Sequence, residues 1–457
     1  MKEQVVKLDD APLNKFHFKM TALTFGGHFT DGYVLGMIGI ALTLLTPQLD
    51  LTPLWIGLIG SSALIGLFLG SLILGRVADI VGRQKIFALN FIIIVLASFF
   101  QFFADSAVEL FILRIIIGFG LGGDYSVGHT MLAEILPRKN RGAILGSFSA
   151  IWTVGFVLAN VVGFSLLSIG PDAWRWMLVS SVLPATLILI MRIGTPESPR
   201  WLINQGRAEE AREIVKKYVG QNVVLDDEKP ILETKGTYAE LFSKKMRKRT
   251  AFNCIFYVCL VLPYFAIYTF LPSILETMGL NAGFGTDLLL NSMLIVGALL
   301  GILFTIKFTR RGFLNGSFIF LSAALLLLSI LPSHFTVLMI IIFTAFTLIM
   351  SAVSNLTAAI PPESFPTSVR SSGVGLATSV SRLGSAIGTF LLPISVAEFG
   401  IQLSMLGLTG VLVFGTIVSL AWAPETKELT LSEASATDND WESLIKIKTR
   451  EEEVKSS

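Results

Sequence analysis

Twelve apolar blocks, each at least 19 residues long, alternate with charged connections along this chain of 457 residues: 21–46, 54–75, 86–104, 108–133, 143–168, 173–193, 251–275, 286–308, 313–331, 335–361, 370–394 and 401–422. About 20 apolar residues in helical geometry cross the hydrocarbon core of a bilayer. Lipid offers no partner to a bare peptide group, so each block is expected to be a helix. Charged residues make up only 15% of the chain, against about 25% in an ordinary soluble protein. They cluster between the blocks, whereas a soluble helical protein would scatter them along amphipathic faces. The chain reads as an all-α integral membrane protein with 12 transmembrane helices, its natural partner the lipid bilayer.

Short connections rich in Lys and Arg stay on the cytoplasmic side. One side collects Lys2, Lys7, Lys15, Lys19, Arg76, Arg83, Lys85, Arg138, Lys139, Arg141, Lys307, Arg310, Arg311 and Arg370, and the other only Arg175. Both termini are therefore expected in the cytoplasm of a multi-pass plasma (cell) membrane protein. The expected organisation is a cytoplasmic N-terminus (1–20), a six-helix bundle (21–193), a cytoplasmic connection (194–250), a second bundle (251–432) and a disordered tail (433–457). Within the connection, Ala208, Ala211, Ile214, Val215 and Tyr218 recur at helical spacing and predict an interfacial helix. The N-terminus lacks an apolar signal-peptide core. Cys254 and Cys259 lie on different faces of one helix and cannot bridge. No metal-ligand spacing, cofactor motif or nucleic-acid signal is present, and no nucleophile, base and oxyanion set marks an enzyme.

The chain repeats itself. Glu134-x-x-Pro137-x-x-x-Arg141 recurs as Glu363-x-x-Pro366-x-x-x-Arg370, and Pro196-Glu197-Ser198 recurs as Pro424-Glu425-Thr426. Two six-helix halves in the same orientation are implied, related by a pseudo-twofold along the membrane normal, with a substrate between them near the midplane.

The connection Gly75-Arg76-Val77-Ala78-Asp79-Ile80-Val81-Gly82-Arg83-Gln84-Lys85 resembles the signature loop of the major facilitator superfamily. Pro196-Glu197-Ser198-Pro199-Arg200-Trp201-Leu202 resembles the signature that follows the sixth helix in its sugar-porter-like clan. Pro424-Glu425-Thr426-Lys427 and the segment Glu134 to Gly142 resemble further signatures of that clan. The resemblance covers roughly residues 15–433 and implies a secondary transporter working by alternating access. It assigns Asp79, Arg83, Glu134, Arg141, Glu197, Arg200, Glu363, Arg370 and Glu425 to a charge network that closes a cytoplasmic gate.

A charge at the centre of a membrane helix costs about 2.5–3.5 kcal/mol on insertion scales. Asp31, Asp124 and Arg382 stand deep inside apolar blocks and are expected to face the interior. The plain alternative is an ion pair between Arg382 and one aspartate. One arginine cannot neutralise two carboxylates, so Asp31 or Asp124 is expected to carry a proton. His28 lies one turn from Asp31, as a tuning group or a satisfied core histidine. Gly122-Gly123-Asp124-Tyr125 resembles the fourth-helix motif of proton-coupled phosphate symporters, but Trp152, Tyr264 and Arg382 depart from that group's pattern. Arg114, in an Arg114-x-x-x-Gly118-x-x-x-Gly122 run, either helps couple protonation or snorkels outward.

Few amides line the blocks, chiefly Asn160, Asn291 and Asn355, which disfavours a neutral sugar. Arg382 offers a planar fork to an anionic group. Trp152, Tyr264 and Tyr268 offer aromatic surface, alongside Tyr257, and Asn355 completes the candidate substrate set. The expected function is proton-coupled symport of a small anionic metabolite, an organic acid, by a monomer. Sugar:proton and phosphate:proton symport are the alternatives, and a non-transporting nutrient sensor a distant one.

Overall fold

The computed structural model describes residues 6–225, 238–280, 284–332, 334–366 and 369–425. The expected disordered tail lies outside these residues, as do Thr426 and Lys427 of the repeated motif. The chain divides into two compact units, Met1–Leu232 and Glu233–Ser457.

The first unit carries six membrane helices: α1 (Lys15–Gln48), α2 (Pro53–Val81), α3 (Arg83–Phe100), α4 (Ala107–Ile135), α5 (Lys139–Ile169) and α6 (Ala173–Arg192). The principal packing pairs are α2 on α4, α1 on α5, and α3 on both α4 and α6. Apolar side chains alone gain little by leaving lipid for protein, so close backbone approach and polar contacts between helices do the joining. A Cβ built on Gly122 of α4 would fall 2.2 Å from the Leu67 carbonyl oxygen of α2. Nearby, the Ser126 hydroxyl donates to the Ser71 carbonyl at 3.0 Å.

The second unit repeats these pairings with α7 (Arg247–Thr269), α8 (Phe284–Lys307), α9 (Arg310–Ile330) and α10 (Thr336–Ser364), followed by one continuous helical stretch, Arg370–Trp422. That stretch is broken only at Gly400, whose φ of 79° divides it into α11 (370–399) and α12 (401–422). The connection expected over 395–400 is thus a single residue, because glycine adopts this backbone at no steric cost. α8 packs on α10, α7 on the α11–α12 stretch, and α9 on that stretch too. Ser351 and Asn355 of α10 donate to the Leu294 and Ala298 carbonyls of α8, at 2.6 and 2.9 Å.

The first helix also departs from expectation. It starts at Lys15, six residues before its apolar block, because an apolar block marks where lipid begins and not where helix begins. Asn14 caps it, accepting from the backbone N–H of Phe16 and His17, while His17 Nδ1 accepts from the Asn14 N–H. The Asn14 amide then donates to the Tyr218 and Val219 carbonyls at 2.9 Å each. These belong to the end of the expected amphipathic helix, Ala208–Tyr218, whose Ala211 and Val215 are buried. The segment before α1 is equally ordered. Val6–Lys7 pairs in parallel with Val223–Val224, and Leu8 and Ala11 are buried against Trp201, Leu202 and Val215.

Helix contacts this close leave no room for a side chain. Gly122→Val is expected to destabilise the first unit by about 1–3 kcal/mol or more through overpacking. A lowered melting temperature in detergent is the readout; an unchanged melt would mean that α2 and α4 do not meet here.

Candidate functional site

One end of the first unit is a charged network built on the N-terminus of α3. The first N–H groups of a helix lack partners and carry partial positive charge. The Glu197 carboxylate meets that need, accepting from the Arg83 and Gln84 N–H at 3.1 Å. The Arg83 side chain in turn pairs with Glu134 at the end of α4 and lies 3.6 Å from Asp79. Glu134 also accepts from the Ser198 hydroxyl at 2.5 Å. Asp79 is mostly exposed in this arrangement, and its backbone carbonyl accepts from the Trp201 indole.

The second unit has the same wiring. Glu425 accepts from the Arg310 and Arg311 N–H at 3.1 and 3.2 Å, and Arg310 pairs with Glu363 at 3.1 Å. Arg141 and Arg370 each donate to the carbonyl five residues earlier, Leu136 and Phe365. Arg310 thus stands where Arg83 stands, although no motif in the sequence singled it out.

A difference between the units lies at these last two arginines. Arg141 donates to Asp9 at 2.5 Å, and Arg200 donates to the same oxygen at 2.9 Å. Asp9 belongs to the ordered segment before α1. It was hidden in the sequence because that stretch is short, polar and without periodicity. Arg370 Nη2 is buried with no hydrogen-bond partner among the described residues.

Inside the membrane the structure corrects the charge count. Asp124 is paired with Arg192, the last residue of α6, at 2.5 Å. Arg192 is fully buried, its guanidinium centred 3.4 Å from the Phe87 ring and 4.1 Å from Phe91. It also donates to the Phe87 and Leu23 carbonyls. A Cβ on Gly27 of α1 would fall 2.2 Å from the Asp124 carboxylate, so the pair needs glycine there. Arg192 and the equally buried Arg114 of α4 join Arg382 as intramembrane cations, so the balance of one arginine against two aspartates does not hold. Arg192 escaped notice because it sits at the edge of its apolar block, where arginines ordinarily turn outward to water.

Asp31 is 2% exposed and accepts from the Trp152 indole N–H at 2.6 Å. The outward-snorkelling alternative for Arg114 is corrected as well: it is 1% exposed and donates to the Ile59 carbonyl of α2. His28 stacks on Phe148 at 4.2 Å and meets His129 edge-on at 4.5 Å. A third buried acid, Asp287 of α8, accepts from the Asn291 amide at 2.7 Å. It lies in the first turn of its helix, where a capping role would be the ordinary reading.

In the second unit Arg382 is 7% exposed on α11, 5.7 Å from the Phe265 ring of α7. Tyr264 packs on Tyr268 at 4.7 Å, and the Tyr268 hydroxyl donates to Thr347 at 2.8 Å. Asn355 is buried on α10, where its amide donates to the Ala298 carbonyl of α8 and its Oδ1 accepts from no described residue. The Asn160 and Asn291 amides likewise donate within their own helices.

A family model described as "Sugar (and other) transporter" matches residues 19–437. The inner membrane metabolite transport protein YgcS of Escherichia coli (strain K12) is 54% identical over 431 residues, covering 94% of this chain and 96% of YgcS. The chain belongs to the sugar (and other) transporter family. It is a multi-pass membrane transporter of the major facilitator type and not an enzyme. Similarity extends at 27% identity to the niacin transporter NiaP of Acinetobacter baylyi, over 93% of this chain and 98% of NiaP. The fold matches that of the proton:xylose symporter XylE of E. coli, with a TM-score of 0.71 at 20% identity over 92% of this chain and 98% of XylE.

Within this transporter the Asp124–Arg192 pair should behave as a unit. Removing one partner of a buried pair costs about 3–5 kcal/mol, whereas replacing both by apolar groups is often neutral. Asp124→Leu and Arg192→Met should each melt well below wild type, and the double variant should melt above either single one. Additive losses would show that the two side chains are not coupled.

Proposed function

We propose that the chain is a proton-coupled symporter of a small anionic metabolite, an organic acid, working by alternating access in the cell membrane with both termini in the cytoplasm. The observation that carries the substrate class is Arg382, a guanidinium buried in membrane helix α11 and flanked on α7 by Phe265. Burial strengthens the pull of such a cation on a carboxylate, and its planar fork suits bidentate recognition. Tyr264, Tyr268 and Trp152 supply the aromatic surface of this reading. The similarity to a niacin transporter supports it, since niacin is an aromatic carboxylate.

Asp31 is the proposed proton carrier, with Arg114 in support. Its carboxyl is buried on α1 and accepts from the Trp152 indole N–H. Asp124 is the weaker candidate because Arg192 neutralises it. The charged networks around Arg83 and Arg310, with Asp79, Arg141, Arg200 and Arg370, are the proposed cytoplasmic gate. The second substrate reading is a sugar, supported by the likeness to an arabinose-proton symporter. It is disfavoured by the scarcity of amides along the membrane helices, chiefly Asn160, Asn291 and Asn355.

A thermal-shift screen of the purified protein with nicotinate, other organic acids, xylose, arabinose and inorganic phosphate, at two pH values, identifies the ligand class. A shift with organic acids alone is expected, and a shift with sugars alone would overturn the anionic reading. In proteoliposomes, Asp31→Asn should abolish uptake driven by a pH gradient and spare exchange of the ligand so found. Unchanged gradient dependence would remove Asp31 from proton coupling. Arg382→Lys should weaken a carboxylate ligand at least about tenfold, the loss of one charge-assisted hydrogen bond.

A further inference from the structure

Where α1 enters the first unit, three lysines gather without an acid among them. Lys15 and Lys19 are four residues apart on one face of α1. Lys217 comes from the last turn of the helix Ala208–Tyr218. Together with Phe16, Met20, Tyr218 and the turn Gly194–Pro196 they line a cavity of about 300 Å³. No Asp or Glu lines it.

The approach of the lysines is built in. The Asn14 amide holds the Tyr218 and Val219 carbonyls, and the Phe16 and Tyr218 rings pack at 5.1 Å. These contacts fix the end of one helix against the start of the other and deliver Lys217 to the two lysines of α1. Like charges four residues apart on a helix repel, and a third makes matters worse unless an anion enters.

Two features say which anion. The floor is apolar, made by the buried Phe16 and Met20. The cavity also sits at the height where the apolar block of α1 begins and that of α6 ends, which is the depth of lipid headgroups. Basic pockets at this depth between transmembrane helices suit anionic headgroups.

We infer that the cavity formed by Lys15, Lys19 and Lys217 binds the phosphate of an anionic phospholipid whose acyl chains enter the surrounding bilayer. The proposal does not depend on what the transporter carries.

Native mass spectrometry of the full chain, titrated with phosphatidylglycerol and with phosphatidylcholine, tests this. Wild type should show saturable binding of phosphatidylglycerol. The variant K15Q/K19Q/K217Q should bind it about tenfold more weakly, and the charge-matched control K244Q/K245Q/K248Q within about twofold of wild type. Melting of the triple variant in phosphatidylcholine at or above the wild-type temperature verifies that it is folded, since repulsion has been relieved. Equal loss in both triple variants would mean general surface attraction and would overturn the site, as would no loss in either. Inorganic phosphate that displaces the lipid at millimolar concentration would instead assign the cavity to a free anion and overturn the lipid reading.

Discussion

Hydrocarbon accepts no unpaired peptide group and little isolated charge, and the rest of this structure follows from that refusal. It makes every apolar block a helix. It also governs the charges that the helices keep. Asp124 enters with Arg192, and Arg192 enters between two phenylalanine rings. Asp31 enters with an indole N–H. Where lipid ends, the rule relaxes and charges become abundant, yet the most buried of them still serve helix ends.

The two carboxylates that close the halves illustrate this. Glu197 and Glu425 each satisfy the first N–H groups of a helix that began more than a hundred residues earlier. In doing so they hold the arginine at that helix start, which is then aimed at Glu134 or Glu363. One side chain thus ties together the third, fourth and last helices of each half. The arrangement is economical for a moving part, because a single proton or a single displaced arginine alters contacts on three helices.

How much of this was legible follows from the kind of signal each element leaves. Apolar blocks announce helices through length alone, and Glu134, Glu197 and their counterparts announce themselves through repetition. Arg310 belongs to the same wiring but lies in no repeated motif, so only the fold equates it with Arg83. Arg192 and Asp287 stand at block edges, where a charge is expected to reach water, and only packing reveals that they turn inward. Asn355 has a structural duty that its place in an apolar block does not announce, since its amide fastens two helices. The single-residue break at Gly400 leaves no mark beyond one glycine among many.

The segment before α1 has a consequence for biosynthesis. Val6 emerges early from the ribosome, but its partner Val223 follows 217 residues later by subtraction of the paired positions. At about 5–20 residues per second, the strand waits roughly 10–40 s with its edge open. All six helices of the first half must be threaded into the membrane before the strand can close. Asp9 reaches Arg141 and Arg200 only when both have been made, so this salt bridge is a molecular receipt that the first half is complete.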